Sequence, residues 1–232
     1  MLSIVDLIEA GTVSRDQAAY LLAAIGNGAS FMVGALPGGA GKTTVMGALL
    51  NMMPPYVQLV PADCEQTVEQ GLQERTRRCY ICHEIGAGSY YAYLWGRPLQ
   101  RYFELPAAGH LLATNLHADT FEQARAQVCG ENGVLPAKFR HMNVILFLAV
   151  DRHAHAIRRQ VTSIWESDGK NVHHQVQGGL TTSLQIAEST LVTAKAFLVA
   201  CKTVDGLMAS GARSIQEVRA FLTSAHSDTL SA

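Results

Sequence analysis

A short glycine-rich segment constrains this chain more than any other: Leu36-Pro-Gly-Gly-Ala-Gly-Lys-Thr-Thr44, preceded by the apolar run Phe31-Met-Val33 and followed by a helix-forming stretch from about Lys42 to the stop at Pro54-Pro55. Glycines let successive backbone N–H groups turn inward as an anion nest, and the helix that follows presents its positive end to the same point. The segment meets the Walker A pattern except at its first position, where leucine stands in for glycine. In that pattern Pro37, Gly38, Gly39, Ala40 and Gly41 wrap the phosphates and Thr44 follows them. Lys42 reaches the β- and γ-phosphates, and Thr43 gives its hydroxyl to Mg²⁺. A leucine in a turn where glycine is usual calls for flexibility nearby, and Gly34 and Gly38 are expected to supply it. The expected ligands are ATP and Mg²⁺.

The rest of the chain alternates in a way that suits such a loop. Tyr56 to Val60, Cys79 to Cys82, His110 to Thr114 and Asn143 to Val150 are short apolar runs separated by helix-like or polar stretches. That is the pattern of an α/β fold with a mainly parallel sheet and helices on both faces, as in RecA-like P-loop proteins. Ahead of the first strand, Ser3 and Ser14 each stand where a helix would be capped, Ser14 with Gln17 three residues on. Beyond Asp151 the runs Val161 to Glu166 and Asn171 to Val176 flank Ser-Asp-Gly-Lys, a hairpin signature. A long helix around Thr190 to Met208 and a capping box at Ser214-Ile-Gln-Glu217 complete the chain. Residues 1–30 are thus expected to be a helical lead-in, 31–150 the core, and 151–232 a hairpin-and-helix appendage.

Composition narrows the function. With 232 residues and 48% hydrophobic content the chain can bury one substantial core. Its 18 basic and 19 acidic residues nearly cancel, so no general field draws nucleic acid and none is expected as partner. No apolar run approaches the ~20 residues of a membrane span, and the first residues lack a basic export signal, which reads as cytoplasmic. The five cysteines are expected to be free thiols. Cys79 and Cys82, with His83 and the histidines at 153, 155, 173 and 174, could suggest a metal site. A strand at 79–82 argues against it, because side chains three apart on a strand point to opposite faces.

Two further marks follow the loop in order. Tyr80-Ile-Cys-His-Glu84-Ile is a hydrophobic strand ending in a carboxylate, and Gly109-His110-Leu-Leu-Ala-Thr114-Asn-Leu-His117 is a short strand between Gly-His and Thr-x-x-His. Together with the loop these residues resemble the secretion-superfamily ATPases that power type II secretion, type IV pilus assembly and archaeal pilus or archaellum assembly, over roughly residues 1 to 150. The resemblance implies that Glu84 positions or polarises the attacking water and that His117 contacts the γ-phosphate. The family's acidic box has one counterpart, Pro61-Ala-Asp63-Cys-Glu65, so Asp63 and Glu65 are candidate contacts to Mg²⁺ or water; a solvated acidic loop explains the same residues. Asp119 is expected to be the N-cap of the next helix.

The chain also departs from the pattern. The resemblance implies a reduced form, because the family's large amino-terminal domain is not seen in residues 1–30. Gly86-Ala-Gly replaces the Arg-Asp that usually follows the glutamate, and Arg75, Arg77 and Arg78 stand at altered spacing. An arginine from a neighbouring subunit or another protein is then expected to supply transition-state charge. The aromatic stretch from Tyr90 to Phe103 is expected to pack a helix on the sheet or to meet a partner subunit. By the same resemblance the expectation is an ATP-hydrolysing motor core. It would form a hexameric ring and work on a membrane platform protein of a pilus or secretion machine at the inner face of the membrane. The alternatives are a nucleotide-binding regulator or degenerate subunit without turnover, and a small-molecule P-loop kinase; the few arginines between 120 and 150, Arg125 and Arg140, speak against the kinase.

Overall fold

The computed structural model describes residues 2–36, 38–153, 156–179 and 183–230. Serine caps start the chain's first helices. Ser3 opens α1 (Ile4–Glu9) in a capping box with Asp6, and Ser14 opens α2 (Arg15–Gly26) in one with Gln17. The chain then runs through β1 (Phe31–Gly34), α3 (Lys42–Leu50), β2 (Gln58–Pro61), α4 (Glu65–Gln73), β3 (Arg78–Ile85), β4 (Tyr93–Leu94), α5 (Arg97–Tyr102), β5 (Leu111–Leu116), α6 (Phe121–Arg125), α7 (Pro136–Phe139) and β6 (Val144–His153). It continues with β7 (Ala156–Glu166), β8 (His174–Gly178), α8 (Ala194–Ala209) and α9 (Ile215–Leu230). No described helix is long and apolar enough to cross a membrane.

One sheet carries all eight strands, in the order β2-β3-β5-β1-β6-β7-β8 with β4 paired to β3. The strands from β2 to β6 pair in parallel, and β6-β7-β8 is antiparallel. The fold is therefore mixed α/β with a mainly parallel sheet, as the sequence pattern implies.

Alternation across the strands divides the core in two. Phe31 and Val33 of β1 and Val144, Leu146 and Leu148 of β6 pack with α1, α2 and α3 on one face. Met32, Ile145 and Phe147 pack on the other with residues of α4, α5 and α6. Period-two geometry explains the split, and each fully buried side chain such as Phe31 or Phe147 contributes about 1.5–3 kcal/mol. Cys79 and Cys82 fall on the same division: the first belongs to one face and the second to the other.

The sheet runs past residue 151. Strand β6 extends to His153, and β7 and β8 continue the sheet beside it. The Ser-Asp-Gly-Lys turn joins them: Gly169 has φ +84°, and the Asp168 carboxylate accepts from the N–H groups of Lys170 and Asn171. The two-residue β4 has no counterpart in the sequence reading, being too short for any periodic signal.

Candidate functional site

The site lies at the carboxyl ends of β1, β3 and β5, beside the centre of the sheet. Parallel strands leave a crevice there, next to the helix that follows β1. The loop from Leu36 to Gly41 leads into α3, whose N-cap is Gly41 at φ +96°, and Gly39 is left-handed too, at φ +73°. These two glycines take the left-handed conformations of the turn. Gly34 is small for another reason: a Cβ there would lie 2.6 Å from the Phe147 ring and 2.7 Å from the Ala118 carbonyl oxygen. Leu36 takes no left-handed conformation and its side chain is 47% exposed. Pro37 lies outside the described residues.

Three of the expected site residues converge. The Lys42 ammonium donates to the Ala35 carbonyl at 3.2 Å and stands 3.7 Å from the Glu84 carboxylate and 3.3 Å from His117 Nδ1. His117 Nε2 is 3.9 Å from the same Glu84 oxygen, and its Nδ1 is also 3.3 Å from the Leu36 carbonyl. Lys42 and Glu84 are both buried, while His117 is half exposed. Burial pushes the Lys42 ammonium below its ordinary range and the nearby Glu84 pulls it back. Burial likewise pushes the Glu84 carboxyl up, against the pull of Lys42, His117 and His83. The second oxygen of Glu84 is buried with no hydrogen-bond partner among the described residues. An orphan acceptor of this kind aims at something that brings a donor.

A local irregularity aims Glu84. The register of β3 against β5 shifts between Cys82 and Ile85, a bulge that turns side chains out of the regular alternation. Short β4 pairs with β3 there, Tyr93 opposite Glu84, and Tyr93 stacks on His83 with ring centroids 6.0 Å apart.

The cleft in front of the loop has a volume of ≈ 690 Å³, within the range of ligand pockets. Gly38, Gly39, Ala40, Gly41, Lys42, Thr43 and Thr44 form one wall of it, and Glu84, His117, His83 and Tyr93 another. Leu7, Thr12 and Ile157 make a less polar end, and Arg159 reaches in from β7. These residues fit a nucleotide triphosphate with its cation: a glycine nest, one buried ammonium, an exposed hydroxyl on Thr43 and a carboxylate with a free oxygen.

Other expected residues lie elsewhere. Asp63 is exposed, accepts from the Thr67 hydroxyl at 2.7 Å and is not part of the cleft wall. Of the three arginines ahead of Glu84, Arg77 donates to the Gly28 carbonyl and Arg78 pairs with Glu74, and none lines the cleft. His110 is buried, bonding the Arg78 N–H and the Gly71 carbonyl, so the Gly-His mark holds β5 to its neighbours. The aromatic stretch divides: Tyr102 is buried, donating to the carbonyls of Tyr80 and Ala113, whereas Tyr90 and Tyr91 face solvent.

Asp119 needs a correction. The cap of α6 is Thr120, whose hydroxyl accepts from the Gln123 N–H, because an N-cap must sit one residue before the first helical turn. Asp119 instead accepts from the Leu36 N–H at 2.6 Å and so ties the segment between β5 and α6 to the start of the phosphate loop. Sequence reasoning missed this tie and missed Arg159. Arg159 lies ahead of the Val161 to Glu166 run, and only the antiparallel pairing of β7 with β6 returns the beginning of that strand to the edge where the loop stands.

No family model matches this chain, and no curated protein matches it. Among solved structures it is similar to the VirB11 ATPase of the Brucella suis type IV secretion system, determined with sulphate, at TM-score 0.52 and 19% identity, covering 72% of this chain and 57% of that one. It also overlays on the DotB ATPases of Legionella pneumophila (TM-score 0.44, 9% identity, 69% of this chain and 48% of that one) and Yersinia pseudotuberculosis (0.48, 12%, 94% and 62%). The chain thus spans about half to three-fifths of the length of these proteins. The DotB overlays are too loose to add to the argument. At 19% identity the Brucella likeness is one of fold, and the fold is the mixed α/β ATPase fold of that VirB11 protein.

Proposed function

We propose that this chain binds and hydrolyses ATP as the motor core of a type II or type IV secretion or pilus assembly system. One observation carries the reading: Lys42, Glu84 and His117, from three different elements, meet within 4 Å of one another at the glycine loop. In this reading residues 31–150 hold the nucleotide, while residues 1–30 and 151–232 flank it. The backbone N–H groups of Gly38 to Gly41 and the Lys42 ammonium would hold the phosphates, and the Thr43 hydroxyl would hold the cation. Bound Mg²⁺ would neutralise charge developing on the phosphates. Glu84, freed from Lys42, accepts a proton from a water held on its orphan oxygen, and His117 donates to the terminal phosphate. The chain is proposed to assemble as a homo-oligomeric ring, a hexamer, on the cytoplasmic side of a membrane platform protein, as the resemblance of the loop, glutamate and histidine marks implies.

Calorimetry with Mg-ATP and a phosphate-release assay test this. Wild type should bind with a measurable heat. Lys42→Ala should lose binding, and Glu84→Gln should keep binding while hydrolysis falls by about 10²-fold or more, the usual scale of general base catalysis. No heat with wild type would overturn the reading. Binding with no turnover under any condition, including with the membrane platform protein added, would leave the non-hydrolysing regulator in its place.

A further inference from the structure

The hairpin beyond residue 151 touches the phosphate loop at one point. Antiparallel pairing sets Arg159 opposite Val150 and brings the beginning of β7 to the edge of the sheet where the loop stands. From there Arg159 Nε and Nη2 both donate to the Gly39 carbonyl oxygen, each at 3.2 Å. Its Cδ lies directly over the loop: a Cβ on Gly41 would be 3.1 Å from it. Arg159 also lines the cleft, and among the described residues it has no carboxylate partner. Two N–H groups spent on one uncharged carbonyl is an unusual use of a guanidinium, whose planar fork suits two-oxygen acceptors.

The choice of carbonyl explains the use. The oxygen of Gly39 and the N–H of Ala40 belong to one planar trans peptide and point in opposite directions. Holding the oxygen therefore fixes that peptide, and with it the direction of the Ala40 N–H. Gly39 and Gly41 on either side are both left-handed glycines, the residues with the most freedom to let that peptide flip.

We propose that Arg159 is a positioning residue for phosphate binding, a latch by which the carboxyl-terminal hairpin keeps the 39–40 peptide turned for phosphate before any nucleotide arrives. The inference rests on the nucleotide-binding reading above. It also gives the hairpin a direct hold on the site, so that anything that moves β7 would change affinity for phosphate.

A latch of this kind acts on the nest alike in ground and transition states, and has no dependence on the nucleoside. Arg159→Ala, Arg159→Lys and wild type would be titrated with Mg-ATP and with Mg-pyrophosphate, which has no base or sugar, and single-turnover hydrolysis would be measured at saturating Mg-ATP. Losing a charge-assisted hydrogen bond at a partly exposed site predicts affinity about tenfold weaker in Arg159→Ala for both ligands. The saturated rate should stay within about twofold of wild type. Arg159→Lys, which can still donate one bond to Gly39, should recover part of the affinity. Unchanged affinity for both ligands would overturn the latch, as would a loss confined to Mg-ATP, which would place Arg159 on the nucleoside. A fall in the saturated rate with affinity intact would overturn it too. Wild type binding neither ligand would instead remove the nucleotide-binding reading on which the latch rests.

Discussion

The Lys42 ammonium stands 3.7 Å from the Glu84 carboxylate at the mouth of the glycine loop, both groups buried. Neither group is held for the other alone. Lys42 also bonds the Ala35 carbonyl, Glu84 keeps a second oxygen unpartnered among the described residues, and His117 lies against both. Burying two charges costs more than one imperfect ion pair returns, so the arrangement favours a ligand that supplies what each group lacks.

The pH dependence of turnover follows from the same pair. Burial raises the Glu84 carboxyl above its ordinary range, and the protonated acid cannot accept a proton from water. On the proposed function, the single-turnover rate should therefore fall as pH drops, beginning above the ~4.3 of an unperturbed glutamate. The limb should vanish in Glu84→Gln, whose low residual rate has no carboxyl to titrate. A wild-type rate that is flat from pH 8 down to that unperturbed value would remove Glu84 from the role of base.

Asp119 sets the start of the loop. Its carboxylate holds the Leu36 N–H at 2.6 Å and lies within electrostatic reach of Lys42, whose charged form it favours. Asp119→Ala should free the loop and weaken Mg-ATP binding by about fivefold to tenfold, the worth of roughly 1 kcal/mol for a hydrogen bond at an exposed position. Asp119→Asn keeps an acceptor for Leu36 and should lose less. If the two variants bind alike at wild-type affinity, the tie has no part in shaping the loop.

Much of this arrangement could be read along the chain, and the exceptions have physical causes. The strands announced themselves as short apolar runs such as Phe31 to Val33, and helix starts by their serine boxes, down to Ser214 and Glu217. Lys42 was legible from the loop pattern, whereas Glu84 and His117 were singled out by the resemblance of their segments to the secretion-superfamily ATPases. Contacts made across the fold were not: Asp119 meets Leu36 over 83 positions and Arg159 meets Gly39 over 120. Flexibility around Leu36 was expected of Gly34 and Gly38 because sequence counts glycines without showing φ, whereas Gly34 is packed against the Phe147 ring and the left-handed positions of the turn are Gly39 and Gly41.

His173 should make stability depend on pH. It is buried among Phe121 and Phe139, with ring centroids 5.1 Å away in each case, and its Nε2 donates to the Met142 carbonyl at 2.8 Å. Burial lowers its pKa; the bond to Met142 opposes this, and His174 and Arg140 nearby add to the lowering. A histidine held neutral in the fold takes its proton on unfolding. Above the unfolded pKa, near ~6.5, both states are neutral and the group contributes nothing to the pH dependence. As pH falls below that value the unfolded chain gains a proton that the native one resists, and stability drops by up to about 1.4 kcal/mol per pH unit until the lowered native pKa is reached. Between about pH 7.5 and 5.5, still above the range where most carboxylates titrate, wild type should lose more stability, and more of its melting midpoint, than His173→Phe. Melting curves at the two pH values for both proteins make the comparison, and an equal shift in each would mean that His173 is as readily protonated in the fold as outside it.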